Sequence, residues 1–316
     1  MLLMWNRFYA IFNSFIKKVK LAMWALSATF VILMLMVMDI GCDQDRFVGT
    51  RRAKLGQFPA IVAIVKKTTS ELFCGGTLIR PKFVLSAAHC FAERIISDAM
   101  AVIGGVIKWN STAARRRRRI GILTIIIHPH YNPKHLFYDY AVAETQTFSF
   151  FQLVVPTKQT KHFHAIQLAE NRPPENTSCQ IAGWGVLEED STDVSEYLIY
   201  AEIPIVGHDE CQTAMPVSIL NDSTLCAGAI EGGPDACSGD AGGPLVCNGL
   251  LAGVISSGKG CARKGYFGQY SDVAAASKWI IESTQEQRSK APAVYKFARK
   301  EPLKVYHAIA AVFLLL

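Results

Sequence analysis

Pro234-Asp235-Ala236-Cys237-Ser238-Gly239-Asp240-Ala241-Gly242-Gly243-Pro244-Leu245-Val246-Cys247 is the stretch from which the rest of the chain can be read. Glycines on both sides of Asp240-Ala241 permit tight turns whose N–H groups face one point, the arrangement that holds a negatively charged oxygen. Two cysteines pin the loop. A loop of this form presents a nucleophile at its apex, and the apex here is Ala241, whose methyl group can attack nothing.

Two further blocks lie upstream. Leu85-Ser86-Ala87-Ala88-His89-Cys90 carries a histidine, and Tyr138-Asp139-Tyr140-Ala141-Val142 carries an aspartate at the start of an apolar run. Gly239-Asp240-Ala241-Gly242-Gly243-Pro244 resembles the nucleophile loop of chymotrypsin/trypsin-family (S1) serine proteases, with alanine in place of serine. The histidine and aspartate blocks resemble that family's other two, in the family's order of His, Asp, nucleophile. The resemblance runs from about Phe47 to about Glu282, and several blocks in one order are far more specific than any one alone.

The resemblance implies an all-β fold of two packed six-stranded antiparallel barrels with a C-terminal helix. It implies His89 as general base, Asp139 as the residue orienting its imidazole, and Ala241 as the lost nucleophile. The N–H groups of Gly239 and Ala241 would form the oxyanion hole. Asp235, six residues before Ala241, falls where trypsin-like relatives place the aspartate that pairs with Arg or Lys of a bound chain. Gly258 and Gly268 match the small residues that keep the pocket open, and Ser256 matches a serine that supports the triad aspartate. Ser257 replaces an aromatic residue that usually walls the pocket, which should weaken peptide binding. Four disulfides are implied: Cys74–Cys90, Cys179–Cys247, Cys211–Cys226 and Cys237–Cys261, leaving Cys42 over. The resemblance also implies cleavage between Arg46 and Phe47 by an activating protease, after which the new amino group pairs with Asp240. Phe47 is bulkier than the isoleucine usual there.

Composition agrees with an extracellular, secreted protein. Nine cysteines, none in a Cys-x-x-Cys pair, suit an oxidising compartment and give no zinc or redox motif. No cofactor or metal is expected: His128-Pro-His130 and His162-x-His164 pair histidines without a cysteine or carboxylate cluster beside them. The net charge is +7, but residues 1–20, 115–119 and 284–306 together carry +13, so the remainder is −6. A uniformly basic nucleic-acid binder is thereby excluded. The run Arg115, Arg116, Arg117, Arg118, Arg119 reads either as a solvated charge run or as an anion-binding exosite for sulfated glycans or acidic proteins.

Leu21–Met38 is eighteen apolar or small residues preceded by Lys17, Lys18 and Lys20, so residues 1–41 read as a signal peptide or a type II signal-anchor. Cleavage after Gly41 would leave 42–46 as a short acidic propeptide, which favours the signal peptide; a membrane contact follows only if the segment is retained. The protease-like domain is expected over 47–283, with barrel 1 at about 47–160, barrel 2 at about 161–272 and the helix at about 273–287. Residues 288–316 form a basic tail with an apolar end. Short β-branched runs at Ile61–Val65, Gly76–Ile79, Phe83–Ser86 and Val102–Ile107, separated by Gly, Pro and polar breaks, give the barrel pattern directly. Asn110, Asn176 and Asn221 each begin an N-x-Ser/Thr acceptor motif. The expected partner is a protein or peptide carrying Arg or Lys, held by a non-catalytic homologue; the rivals are an ordinary serine endopeptidase if alanine is a variant, and a glycan-binding protein acting through the arginine run.

Overall fold

The computed structural model describes residues 49–92, 100–112, 114, 119–145, 160–215 and 220–285, together with Met23. The chain divides into two compact units, Met1–Gln44 and Asp45–Leu316, and the architecture described belongs to the second. The apolar segment at 21–38, Cys42, Arg46, Phe47 and the tail 288–316 lie outside the described residues, as do Arg115, Arg116, Arg117 and Arg118. Among the described residues no helix is long and apolar enough to cross a membrane.

The first barrel is built from β2 (Ile61–Lys66), β3 (Leu72–Arg80), β4 (Phe83–Ser86), β5 (Met100–Gly104), β6 (Arg119–Ile127) and β7 (Ala141–Thr145), closed in the order β2-β3-β4-β7-β6-β5. Every pairing is antiparallel. The strand β2 explains why its sequence is apolar without alternation. Val62 and Ile64 face the barrel interior with Leu78, Val84, Val102 and Val142, whereas Ile61, Ala63 and Val65 pack outward against Trp184 and Leu198. Both faces of this strand are covered, so no polar residue alternates in it.

The second barrel comprises β8 (Ser178–Gly183), β9 (Ile199–Val206), β10 (Thr224–Ala227), β11 (Pro244–Cys247), β12 (Leu250–Ser257) and β13 (Gly268–Asp272). The sheet order β9-β10-β13-β12-β11-β8 closes through the additional β8–β9 pairing, and the short β1 (Thr50–Arg52) adds to the outside of β9. Here β9 does alternate: Ala201, Ile203 and Ile205 fill the interior, while Glu202 and Pro204 face solvent.

Of the helices whose bounds fall among the described residues, two were unequally legible. The sequence reading did not anticipate α1 (His208–Ala214), a two-turn segment held by the Cys211–Cys226 bridge. The C-terminal helix α2 (Val273–Ser283) stops short of the expected 287, because Thr284 turns its hydroxyl back to donate to Ile281 O at 2.9 Å. Its start is a capped one: Asp272 accepts from the Ala274 N–H at 3.0 Å. Val273, Ala276 and Ile280 form the buried stripe, and they join a core cluster that holds first-barrel residues such as Val84, Tyr140 and Val142 together with Leu251 and Val254 of β12, so the helix packs across both barrels. Strand bounds also differ: the run expected at 102–107 is β5 at Met100–Gly104, ended by a left-handed Gly105.

Candidate functional site

His89 sits in a single 3₁₀ turn, Ala88–Cys90, immediately after β4. Its Nδ1 lies 2.7 Å from Asp139 Oδ2, and its backbone N–H donates to Asp139 Oδ1 at 2.8 Å. A carboxylate facing Nδ1 places the imidazole proton there and leaves Nε2 as a lone pair. The side chain of Asp139 is fully buried while that of His89 is 28% exposed, so the ring stands at the edge of the cleft with its partner behind it.

Asp139 is positioned from both barrels. Ser256 Oγ donates to Asp139 Oδ2 at 2.6 Å, and Ser271 Oγ donates to Asp139 O at 3.2 Å. Its neighbours are tied similarly: Tyr138 N donates to Ser223 Oγ at 2.9 Å, and the Tyr140 hydroxyl donates to Asp272 O at 2.5 Å. Of these only Ser256 was singled out from the sequence. Ser223, Ser271 and Tyr140 were not singled out as supports of the aspartate, although Tyr140 lies in its block and Ser223 in the Asn221 acceptor motif, since this role arises only where the barrels meet.

The glycine loop docks on barrel 1 through a close backbone approach. Gly75 N donates to Ala241 O at 2.7 Å, and a Cβ on Gly75 would stand 2.9 Å from Gly243 Cα. Gly239 and Gly242 both have positive φ, +98° and +82°, which L side chains rarely adopt. The N–H groups of Asp240, Gly242 and Gly243 are engaged within the loop or with Ile255. Those of Gly239 and Ala241 donate to nothing among the described residues. Ala241 O and His89 Nε2 each lie 3.9 Å from the Cys90 sulfur, which puts the apex of the loop beside the ring.

Asp240 turns away from the cleft into a niche against Gly183 and Gly185, where any Cβ would collide with its carboxylate. Its oxygens accept from Gly185 N at 2.7 Å and Cys237 N at 3.1 Å. No cation faces it among the described residues, and burial pushes its carboxyl up to about 6, against those two hydrogen bonds.

A pocket of about 340 Å³ opens beside Ala241 and is lined by Asp235, Ser256, Ser257, Gly258 and Gly268, all singled out from sequence, together with Glu189, Gln269 and Tyr270, which were not. Asp235 accepts from Ala236 N at 2.8 Å and Ala262 N at 3.0 Å, and burial raises its carboxyl above the ordinary range. A side chain on Gly268 would meet the Asp235 carboxylate at 2.9 Å and the Tyr270 hydroxyl at 3.0 Å. That hydroxyl is buried without a partner, so the pocket holds an unpaired polar group beside its carboxylate. Ser257 donates to Gln269 Oε1 at 3.2 Å, a polar wall where the family resemblance anticipated a missing aromatic. At the rim Glu189 pairs with Arg263 at 2.6 Å. A larger crevice of about 620 Å³ at the seam of the barrels contains none of these groups.

The four cysteine pairs are bridged: Cys74–Cys90, Cys179–Cys247, Cys211–Cys226 and Cys237–Cys261. Cys74, His89 and Cys90 cluster closely enough to suggest a metal site, but both sulfurs are spent in one disulfide and neither is a thiolate. His128 is buried and stacked on Tyr138 at 4.9 Å between centroids, edge-on to Trp279 at 4.7 Å, and burial lowers it to about 4. It is a core histidine. Of the arginine run, Arg115, Arg116, Arg117 and Arg118 fall outside the described residues, and only Arg119 lies among them. Arg119 donates to Lys66 O at 2.8 Å and Ser70 Oγ at 3.3 Å on the wall of the first barrel.

The family model described as Trypsin matches residues 47–280. Among known proteins the chain is similar to Trypsin II-P29 of Gallus gallus, at 33% identity over 77% of this chain and 91% of the relative. It is also similar to Trypsin-10 of Gadus morhua, 30% identical over 80% of this chain and 97% of the relative, and to Serine protease 1 of Canis lupus familiaris, 32% identical over 81% and 98%. With paired barrels, four bridges and the His89–Asp139–loop geometry already in place, these matches settle the descent: the chain belongs to the trypsin family of serine proteases.

Proposed function

We propose that this chain is an extracellular trypsin-family homologue that binds peptides or proteins bearing Arg or Lys without hydrolysing them. The observation that carries the reading is Ala241. His89 is held and oriented by Asp139, yet the residue beside it at the loop apex offers a methyl group. In a related mechanistic system loss of the serine alone costs about 2 × 10⁶ in turnover. The retained parts support binding. Asp235 and the unpaired Tyr270 hydroxyl present a charge and a hydrogen-bonding group to a cationic side chain, and the free N–H groups of Gly239 and Ala241 can receive a carbonyl oxygen. Four disulfides favour an oxidising compartment, hence secretion.

The test uses the chain cleaved after Arg46, with a benzamidinium ion as probe. Binding by fluorescence titration is expected, and Asp235→Asn should weaken it about 100-fold, the loss of a charge-assisted pair. Under the same conditions an arginine ester should remain intact. Turnover of that ester at rates typical of trypsin, by protein verified to carry alanine at 241, would sink the reading.

A further inference from the structure

The three acceptor motifs are equivalent in sequence but not in the fold, and the structure separates them. Asn110 is half-buried: Nδ2, the atom a glycan would take, donates to Glu196 Oε1 at 3.0 Å, and Oδ1 is turned inward, buried without a partner. Lys108 joins the same carboxylate at 2.6 Å, so the Asn110 side chain is part of a packed contact between two loops. Asn221 is turned inward as a cap. Its Oδ1 accepts from Ser223 N at 3.0 Å, Ser223 Oγ at 2.7 Å and Thr224 Oγ1 at 3.2 Å. Arg172 wraps that turn by donating to Asp222 O at 3.0 Å and Thr224 O at 3.1 Å, and Ser223, the third residue of the motif, is only 1% exposed.

Asn176 differs on each count. It is exposed, it occupies the left-handed region at φ +62° that asparagine tolerates in a turn, and its amide side chain is engaged by no group among the described residues. Only its backbone is tied down, through its N–H to Ile205 O at 2.9 Å. The turn is thus rigid while the side chain is free. We infer that Asn176 is the residue of this chain that carries an N-linked oligosaccharide, and that Asn110 and Asn221 stay unmodified in the folded, exported protein.

The modification is a glycosyl transfer from a lipid-pyrophosphate-linked oligosaccharide in the secretory lumen. A bond forms between Asn176 Nδ2 and the anomeric carbon, the bond from that carbon to the pyrophosphate oxygen breaks, the lipid pyrophosphate leaves, and one amide proton passes to the transferase's base. Transfer precedes folding, so a glycan persists in exported protein only at a position that the finished fold accommodates. Ser178, two residues on, lines the 620 Å³ seam crevice, so the glycan stands beside that crevice and away from the Asp235 pocket.

The experiment places the full chain behind a strong secretory leader in a eukaryotic host, so that acceptor choice is read whether or not residues 1–41 direct export themselves. Peptide mapping after enzymatic deglycosylation in ¹⁸O-labelled water marks each formerly occupied asparagine as labelled aspartate. Label at Asn176 alone is expected, with one glycan's worth of mobility shift that Asn176→Gln abolishes and Asn110→Gln leaves unchanged. Exported protein unlabelled at Asn176, or labelled at Asn110 or Asn221, overturns the assignment; because it is read on the unsubstituted chain, a variant that fails to fold does not obscure it.

Discussion

Ala241 and Asp240 are neighbours with opposite fates. Replacing Ala241 by serine puts a hydroxyl beside the lone pair of His89, and after cleavage at Arg46 the variant is expected to hydrolyse an arginine ester at least about 10³-fold faster than the parent, short of the full factor because Ser257 leaves the pocket wall polar. A silent variant would place the defect beyond residue 241. Asp240 makes its own prediction. Its carboxyl is raised from 3.8 to about 6 by burial, so between those values the folded chain holds a proton that the unfolded chain has released. The contribution of Asp240 to the stability of the uncleaved protein is therefore greatest near pH 4 and falls as pH rises to about 6, by an amount on the order of 3 kcal/mol, while His128, lowered to about 4 by burial, contributes in the opposite direction over the same window. Asp235, raised for the same reason as Asp240, adds in the direction of Asp240. Urea midpoints of the parent and of Asp240→Asn measured side by side from pH 4 to 7 isolate the Asp240 term: the parent should lose stability relative to the variant as pH rises to about 6, and a constant difference would overturn the reading.

At the scale of elements, the helix α2 gives the cleanest test of packing. Ile280 is fully buried in the core cluster that joins the first barrel to β12, and Ile280→Ala is expected to cost about 2–5 kcal/mol, read from the shift in urea midpoint. An effect below about 0.5 kcal/mol, the range of surface substitutions, would mean the helix does not hold the barrel. The elements also show where sequence reading succeeds. The run at 61–65, the block at 83–86 and the glycine loop were legible because each depends on local composition: β-branched residues, or glycines at turns that demand positive φ. Helix α1 was not, since seven residues with a single buried cysteine carry no apolar period, and a disulfide rather than a stripe holds them. The supports of Asp139 other than Ser256 were equally hidden. Serines at 223 and 271 look like any others until barrel closure brings them against Tyr138–Tyr140, and the Gln269 partner of Ser257 emerges only from cross-pocket geometry.

Over the whole molecule the bridges differ in what they enclose. Cys179–Cys247 spans 68 residues of barrel 2, while Cys211–Cys226 spans 15. Chain-entropy reasoning gives about 4 kcal/mol for the first and about 3 for the second. Replacing each pair by alanine and comparing guanidinium unfolding should reproduce that order; equal losses would point to packing rather than chain closure as the source. The stitches on Tyr138–Tyr140 lead to a different kind of consequence. This stretch enters barrel 1, yet its hydroxyl and amide groups are fastened to serines and a carbonyl of barrel 2. A wedge, a pull or mild heating that parted the two halves by even a few ångströms would strip the aspartate of its serine partners first, leaving both cylinders intact and Asp139 with only His89 to hold it.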